Sequence, residues 1–354
     1  FELNYDRHNK QADRVYRLVT NLEANNWAIS AFPIGALLKD NFGEIENYTR
    51  IKPIEVFVQQ ADRDVKFRER VFFADSSVFD VMDLELIKGN PTTALAEINS
   101  LVLTEERAKA YFGEEDPIGK TLTLLNDNRE YKVTGVFEPL PSNSHVHMNM
   151  MVSSDNFGPM RADSPDGWAY LTSHYTYLVL PQDIDNIAFA KRISTFMDEF
   201  QELTADQPRN DLELQAITDI HLYSNRGLEI EANGSMNTVY IMSAVAFFIL
   251  VIACINFMNL STAQSLKRAR EVGVRKVVGG KKSQLIGQFL SESVVISFLA
   301  LIIAIGILSA VIPQFNTISG KELVFNPLEN GFVAILFAGI TLTVGILAGT
   351  YPAF

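Results

Sequence analysis

VYIMSAVAFFILVIACINFMNL (239–260) decides how the rest of this chain is read. It lies inside residues 232–266, a stretch with no charged side chain. Wound as a helix at 1.5 Å per residue it reaches about 33 Å, enough for a hydrocarbon core about 30 Å thick. Its Leu, Ile, Val and Phe residues each favour insertion by roughly 0.3–0.6 kcal/mol at mid-span, so a transmembrane helix is predicted over 239–262. Further along, residues 293–320 and 330–354 are also free of charge. They predict two more spans, over 286–312 and 331–351, because soluble helices seldom stay uncharged for so long.

Charge divides the chain at the same place. The 354 residues carry 30 Lys/Arg and 42 Asp/Glu, a net of −12. Residues 236–354 hold eight of the basic and four of the acidic residues, a net of +4, which leaves 22 against 38 for residues 1–235, a net of −16. Residues 1–235 thus read as an acidic folded domain and 236–354 as a membrane domain. The loop QSLKRAREVGVRKVVGGKKSQ (264–284) has seven basic residues and one acid, whereas 313–331 has only Lys321 against Glu322 and Glu329. Short basic loops stay in the cytoplasm, so the acidic domain is expected outside. Phe1 does not begin a signal peptide, and GTYPAF follows a span with no basic anchor. The chain is therefore expected to be a fragment of a longer membrane protein. Its only cysteine, Cys254, falls in mid-span, so the outer domain is expected to be stabilised by its own core rather than by disulfides.

The outer domain reads as mixed α/β. QADRVYRLVT and NYTRIKPIEVFVQQ are strand-like, and FPIGALLKDNFGEI suits a helix with proline in its first turn. TEERAKAYFG predicts a helix capped by Thr104 and stopped at Gly113. TLTLLNDNREYKVTGVF predicts a hairpin turning at Asn126–Asn128. HYTYLVL, DIDNIAFAKRISTFMDEFQEL and LELQAITDIHL read as strand, helix and strand. Segments 11–60 and 174–222 are expected to share one small sheet, with the middle inserted between them.

Several constellations with possible chemistry are weak. His145 and His147 in SHVHMN are expected on one strand face, a spacing found in metal sites, but no cysteine lies near and a structural role fits better. GGKKS resembles the end of a phosphate loop, yet Lys282 stands where Ser or Thr is needed and Arg275 where the first glycine belongs, so no ATP site is expected in this chain. Glu292 sits at the mouth of a span, where a carboxylate can reach the interface. Gly345 and Gly349, four apart, are candidates for close packing of spans between permease units. The basic loop has a narrow apolar stripe of Leu266, Ala269, Gly273 and Val277. It suits either a partner-docking element or an anchor to anionic lipid. An acidic outer domain offers no nucleic-acid footprint.

Taken together, ELNYDRHNKQADRVYRL (2–18), ADSSVFDVMDLELIKGNPTTAL (74–95), VLTEERAKAYFGEEDPIGKTL (102–122), VTGVFEPLPSNSHV (133–146) and SLKRAREVGVRKVVGGKKSQLIGQFLSES (265–293) resemble the MacB/FtsX-type ABC transporter permeases. The likeness is greatest to the large two-repeat form found in Bacteroidetes. It covers essentially the whole chain and rests most on Gly113 with Asp116–Lys120 and on REVGVRKVVG (270–279).

That resemblance implies an α+β periplasmic core domain over 1–235, with a porter-like subdomain at 1–60 and 174–230 and a sabre-like insertion at about 61–173. Three transmembrane helices of an inner-membrane permease follow. It also implies that a separate cytoplasmic ABC ATPase carries the ATP and magnesium, this chain itself binding no cofactor or metal and catalysing nothing. The ATPase would dock on Arg270, Glu271, Val272, Gly273, Val274, Arg275, Lys276, Gly279 and Gly280. A second permease half or a homodimer, membrane lipid and a periplasmic adaptor or substrate protein are the further partners implied. Where relatives are expected to carry Gly-Ala after the Arg-Lys pair, this chain has Gly279–Gly280. Two other functions compete. A transporter passing substrate between its spans needs polar groups at mid-membrane, for which Asn256, Asn259, Thr341 and Thr343 are the candidates. A sensor needs a sizeable cytoplasmic output domain, which a loop of about 20 residues does not provide.

Overall fold

The computed structural model describes residues 1–22, 25–60, 65–157, 172–200, 211–267, 274, 277–278, 282–319, 321, 323, 325–326 and 331–353. The chain divides into two compact units, Phe1–Met236 and Asn237–Phe354.

The first unit is built on one sheet of twelve described strands, numbered in chain order. They are β1 (Val15–Leu22), β2 (Asn25–Trp27), β3 (Ser30–Ala31), β4 (Asn47–Gln60), β5 (Lys66–Ala74), β6 (Leu86–Lys88), β7 (Ser100–Thr104), β8 (Thr121–Leu124), β9 (Arg129–Phe137), β10 (Met150–Ser153), β11 (Thr172–Val179) and β12 (Asp211–Ala216). The main path runs β12-β1-β11-β4-β5-β10-β7-β9-β6. Its first four strands come from the two ends of the domain sequence, as the strand-like segments predict. The described strands in the middle of the sequence join this same sheet. β4 pairs with β5 from Ile51↔Ala74 to Gln59↔Lys66, so the sheet continues directly into the inserted segment.

There the pairing closes into a ring. β8 bonds β9 on one side and the far end of β4 on the other, through Val58↔Leu124 to Gln60↔Leu122. The strands β4, β5, β10, β7, β9 and β8 therefore return on themselves, which removes most free edges from this half. Alternation along the strands sorts their side chains onto two faces. Val71, Phe73, Leu101, Leu103, Met150 and Val152 join the core inside the ring, under the helix Glu105–Phe112. Their neighbours Phe72, Val102 and Met151 turn to the opposite face and meet Phe79, Tyr177 and Ile230 in a second core. Each such buried side chain contributes roughly 1.5–3 kcal/mol relative to an exposed one.

At the other end, Leu18, Leu178, Leu212 and Leu214 pack with the helices Ile34–Asn41 and Asn186–Phe200. Phe189, Ala190, Ile193 and Met197 are the buried residues of the longer helix, at the three- and four-residue steps of an amphipathic face. This helix also covers the edge strand. Ser194 Oγ accepts from Leu212 N–H at 3.0 Å and donates toward Leu212 C=O at 3.3 Å, occupying an edge residue that would otherwise invite another strand.

Local signals hold with a few corrections. The helix after Thr104 does stop at Gly113, which adopts φ +65, but the Thr104 side chain makes no cap bond. β8 and β9 form the predicted hairpin, with Asn128 at φ +54 in its turn. LELQAITDIHL is strand only to Ala216, after which Ile217–Asp219 and Ile220–Tyr223 are helical. Its last apolar residues cap the core instead of extending the sheet, with Ile217 and Ile220 buried in it.

The second unit contains the helices Met236–Lys267, Lys282–Ser319 and Gly331–Ala353. All three are long and apolar enough to cross a membrane. The middle one continues through Pro313 to Ser319, beyond the predicted end at 312. A proline without an N–H withdraws one rung of the helical ladder, and the turns on either side of it keep theirs.

Candidate functional site

Most of the basic loop, including Arg270, Glu271, Val272, Gly273, Arg275, Lys276, Gly279 and Gly280, lies outside the described residues. Val274 is described and is 58% exposed, with Val277 and Val278 more exposed still. Val278 N–H donates to Val274 C=O at 3.1 Å, one helical turn. Val274, Val277 and Val278 are thus three exposed apolar side chains within a segment that the sequence makes basic.

Gly345 and Gly349 face the preceding span of their own chain, whereas the sequence suggested contact between permease units. A Cβ on Gly345 would stand 2.9 Å from Val294 Cα, and one on Gly349 would stand 2.8 Å from Ser293 Oγ. The two helices therefore approach at a distance only glycine permits. Ser293, Thr341 and Ala348 are buried along this seam. Beside it the three helices enclose a cleft of about 400 Å³, lined by Cys254, Phe257, Ser297, Leu301, Phe337 and Thr341 among others. The lining is predominantly apolar, and of the candidate polar groups only Thr341 reaches it. Glu292 lies in the same helix, next to Ser293 in the chain.

The two predicted histidines are not on a strand. They occupy an irregular segment before β10, and each has its own carboxylate. His145 Nδ1 donates to Asp6 Oδ1 at 2.8 Å, and its backbone N–H reaches the same oxygen at 3.0 Å. Burial pushes the Asp6 carboxyl up, but the charge and hydrogen bonds of His145 outweigh it and hold Asp6 below the usual carboxylate range. His145 Nε2 pairs with the Tyr177 hydroxyl at 2.7 Å. No described group of three or more His, Cys, Asp or Glu is arranged to hold a metal.

These histidines belong to a feature that the sequence did not single out. Between the last short helix and Met236 the chain forms an irregular strap, SNRGLEIEANGS (224–235). Arg226 bonds Asn21 at 2.6 Å and pairs with Glu213. Gly227 donates to Asn26 C=O at 2.7 Å and accepts from Ala28 N–H at 3.0 Å. Leu228 C=O accepts from Tyr175 OH at 2.8 Å. Glu229 takes both arms of Arg17, at 2.7 and 2.8 Å, and Arg17 is fully buried. Ile230 is buried in the core, and its C=O accepts from Arg70 at 2.5 Å. Glu231 accepts from His147 N–H at 2.7 Å and Nδ1 at 2.8 Å. Gly234 lies against the His221 ring, where a Cβ would come within 2.7 Å. His221 in turn stacks on Tyr5 and pairs with Glu2 at 2.8 Å, so the beginning and the end of this unit meet. Burial and the charges of Glu2, Asp6 and Glu231 push the Tyr5 phenol up to about 12. Six consecutive strap residues thus hold six different attachment points.

The MacB-like periplasmic core domain family matches residues 4–196, more than half of the chain. The chain belongs to that family. Downstream of this core domain, residues 243–354 match the FtsX-like permease C-terminal family. Among curated relatives, the macrolide export ATP-binding/permease protein MacB of Bdellovibrio bacteriovorus is 26% identical over 70% of this chain and 35% of its own length. The uncharacterized ABC transporter permease YknZ of Bacillus subtilis is 25% identical over 71% of this chain and 57% of its own. The chain therefore spans a third to somewhat over half of these relatives. A permease-protein domain from Porphyromonas gingivalis shares the MacB-like core fold, with a TM-score of 0.50 and 19% identity over 58% of this chain and 91% of that one. The first unit is accordingly a MacB-like periplasmic core domain, and the FtsX-like match of a membrane permease family covers nearly all of the three helices long and apolar enough to cross a membrane.

In this MacB-like setting the Asp116–Lys120 motif is structural. Asp116 bonds Lys88 at 3.0 Å and receives Ile118 N–H at 3.4 Å. Gly119, at φ +84, donates to Val133 C=O at 2.8 Å and starts the β8–β9 ladder.

Proposed function

We propose that this chain is the permease part of an ABC transporter in which a separate cytoplasmic ATPase drives movement of the periplasmic domain. The observation that carries this reading is the order of the two matches on one chain, a MacB-like periplasmic core followed by an FtsX-like membrane region. The absence of a phosphate-binding loop in GGKKS fits an ATP site on another subunit. The basic loop, through Arg270–Lys276 and Gly279–Gly280, is the proposed ATPase contact. Export, efflux and lipoprotein or envelope processes all fit this action, with a second permease unit and a periplasmic adaptor or substrate protein as partners. The apolar lining of the interhelical cleft favours motion relayed to the periplasm over passage of a polar substrate between the spans.

Purification of the full-length protein from its native membrane tests the reading. An ABC ATPase is expected to co-purify with it, and Arg275→Glu is expected to reduce the ATPase recovered by about tenfold, as loss of a central charged contact does. Recovery of the permease without any ATPase, or an unchanged yield with Arg275→Glu, refutes the proposed docking.

A further inference from the structure

From Arg226 to Glu231 the strap is held by a succession of bonds, and at Glu231 the hold is an imidazole. Glu231 offers one oxygen to the His147 backbone and the other to the His147 ring, so its carboxylate is gripped on both sides. The charged and titratable groups around His147 are Glu231, the Asp6 carboxylate, the His8 and His145 imidazoles, and Arg70, whose guanidinium is 3.8 Å from Glu231. Two residues earlier, His145 and Ser144 fasten the same segment to Asp6. The beginning of the chain, the 144–147 segment and the strap therefore form one cluster.

We propose that His147 and Glu231 form a proton-sensitive clasp that ties the exit strap to the 144–147 segment, and through Asp6 to the start of the chain. It is closed when the imidazole is charged and loosened when it is neutral.

The hydrogen bond to Glu231 raises the His147 pKa above its ordinary 6.5, with burial opposing. A group raised in the folded state adds stability that is complete below its unfolded value and is lost as pH climbs through the folded one. The clasp is thus tightest below the ordinary imidazole value of 6.5 and weakens as pH climbs through the higher folded-state value, where the charge-assisted part of the bond is lost. This mechanism belongs to the periplasmic domain itself and stands whether or not an ATPase drives the permease.

Hydrogen exchange of the full-length protein in lipid nanodiscs, at about pH 6 and about pH 8 and corrected for intrinsic chemical rates, tests it. Protection of peptides covering 226–236 is expected to fall about two- to tenfold toward the higher pH, a pKa difference of one unit being worth tenfold. Peptides from β7 and β9 serve as the internal reference and are expected to stay constant. His147→Gln and Glu231→Gln are each expected to abolish the response in 226–236. Equal protection of the wild-type strap at both pH values, or a response that survives in His147→Gln, overturns the proposal. If neither variant folds, the wild-type comparison against β7 and β9 decides the matter alone.

Discussion

Among the described residues Arg17 is the largest fully buried side chain, and it is a cation. What makes this tolerable is Glu229, whose two oxygens match the two guanidinium arms, together with Gln215 at 2.7 Å. Removing one member of such a pair leaves an uncompensated charge in the core, which costs about 3–5 kcal/mol. Glu229→Gln is therefore expected to destabilise the periplasmic domain by about 3 kcal/mol in urea unfolding, whereas replacing both members, Arg17→Met with Glu229→Met, is expected to recover most of the loss. A double variant as unstable as the single one contradicts this account. Nothing in the sequence around Glu229 announces the pair. SNRGLEIEANGS reads as a polar linker, and the partner lies 212 positions earlier. The histidines were visible as a pair, but their carboxylates, Asp6 and Glu231, lie 139 and 84 positions away.

Elements were easier to read where their periodicity was local. The apolar face of Asn186–Phe200, the Gly113 stop and the β8–β9 hairpin all follow from short-range patterns. Strand β4 was legible as a strand over NYTRIKPIEVFVQQ, but its pairing was not, because it serves three partners in turn. It pairs with β11 through Asn47–Ile51, with β8 through Val58–Gln60 and with β5 along most of its length, and no local signal states that. The glycines of the third span show a similar limit. Their spacing marks a surface for close approach, but it does not say that the partner is Ser293 and Val294 of the preceding span. Gly349→Ala is expected to lower thermal stability in detergent through a contact with Ser293 side-chain atoms, at a cost of about 1–3 kcal/mol. Ser293→Gly removes those atoms and is expected to restore the loss. It is not expected to rescue Gly345→Ala, which meets the backbone at Val294 Cα. Rescue of both, or of neither, would show that the seam is packed differently.

At the scale of the whole molecule the division into a periplasmic and a membrane unit was fully legible. Thirty-five uncharged residues and a change from −16 to +4 are consequences of the two solvents in which the parts reside. The same charge asymmetry fixes orientation, and labelling can check it. With Cys254→Ala as background, Val278→Cys is expected to react with a membrane-impermeant maleimide only after the inner membrane is opened. Lys321→Cys is expected to react in intact spheroplasts. The reverse pattern would invert the topology drawn from the basic loop. The continuity of the sheet across the inserted segment was beyond reach at this scale, since it depends on pairings between strands from distant parts of the chain.

The succession of attachments along the strap has a mechanical consequence. A tension applied at Met236 does not load all of its bonds together. It reaches Gly234 and Glu231 first, then the Ile230 carbonyl, and only afterwards the doubly bonded Glu229 with its buried guanidinium. Such an attachment peels one step at a time, and the resistance grows as peeling proceeds inward. A small pull frees only the last few residues and leaves the sheet undisturbed, while a large one meets the Arg17 anchor and is passed to β1. Inward from Met236, the attachments thus run from hydrogen bonds with His147 and Arg70 to a paired, buried guanidinium on β1.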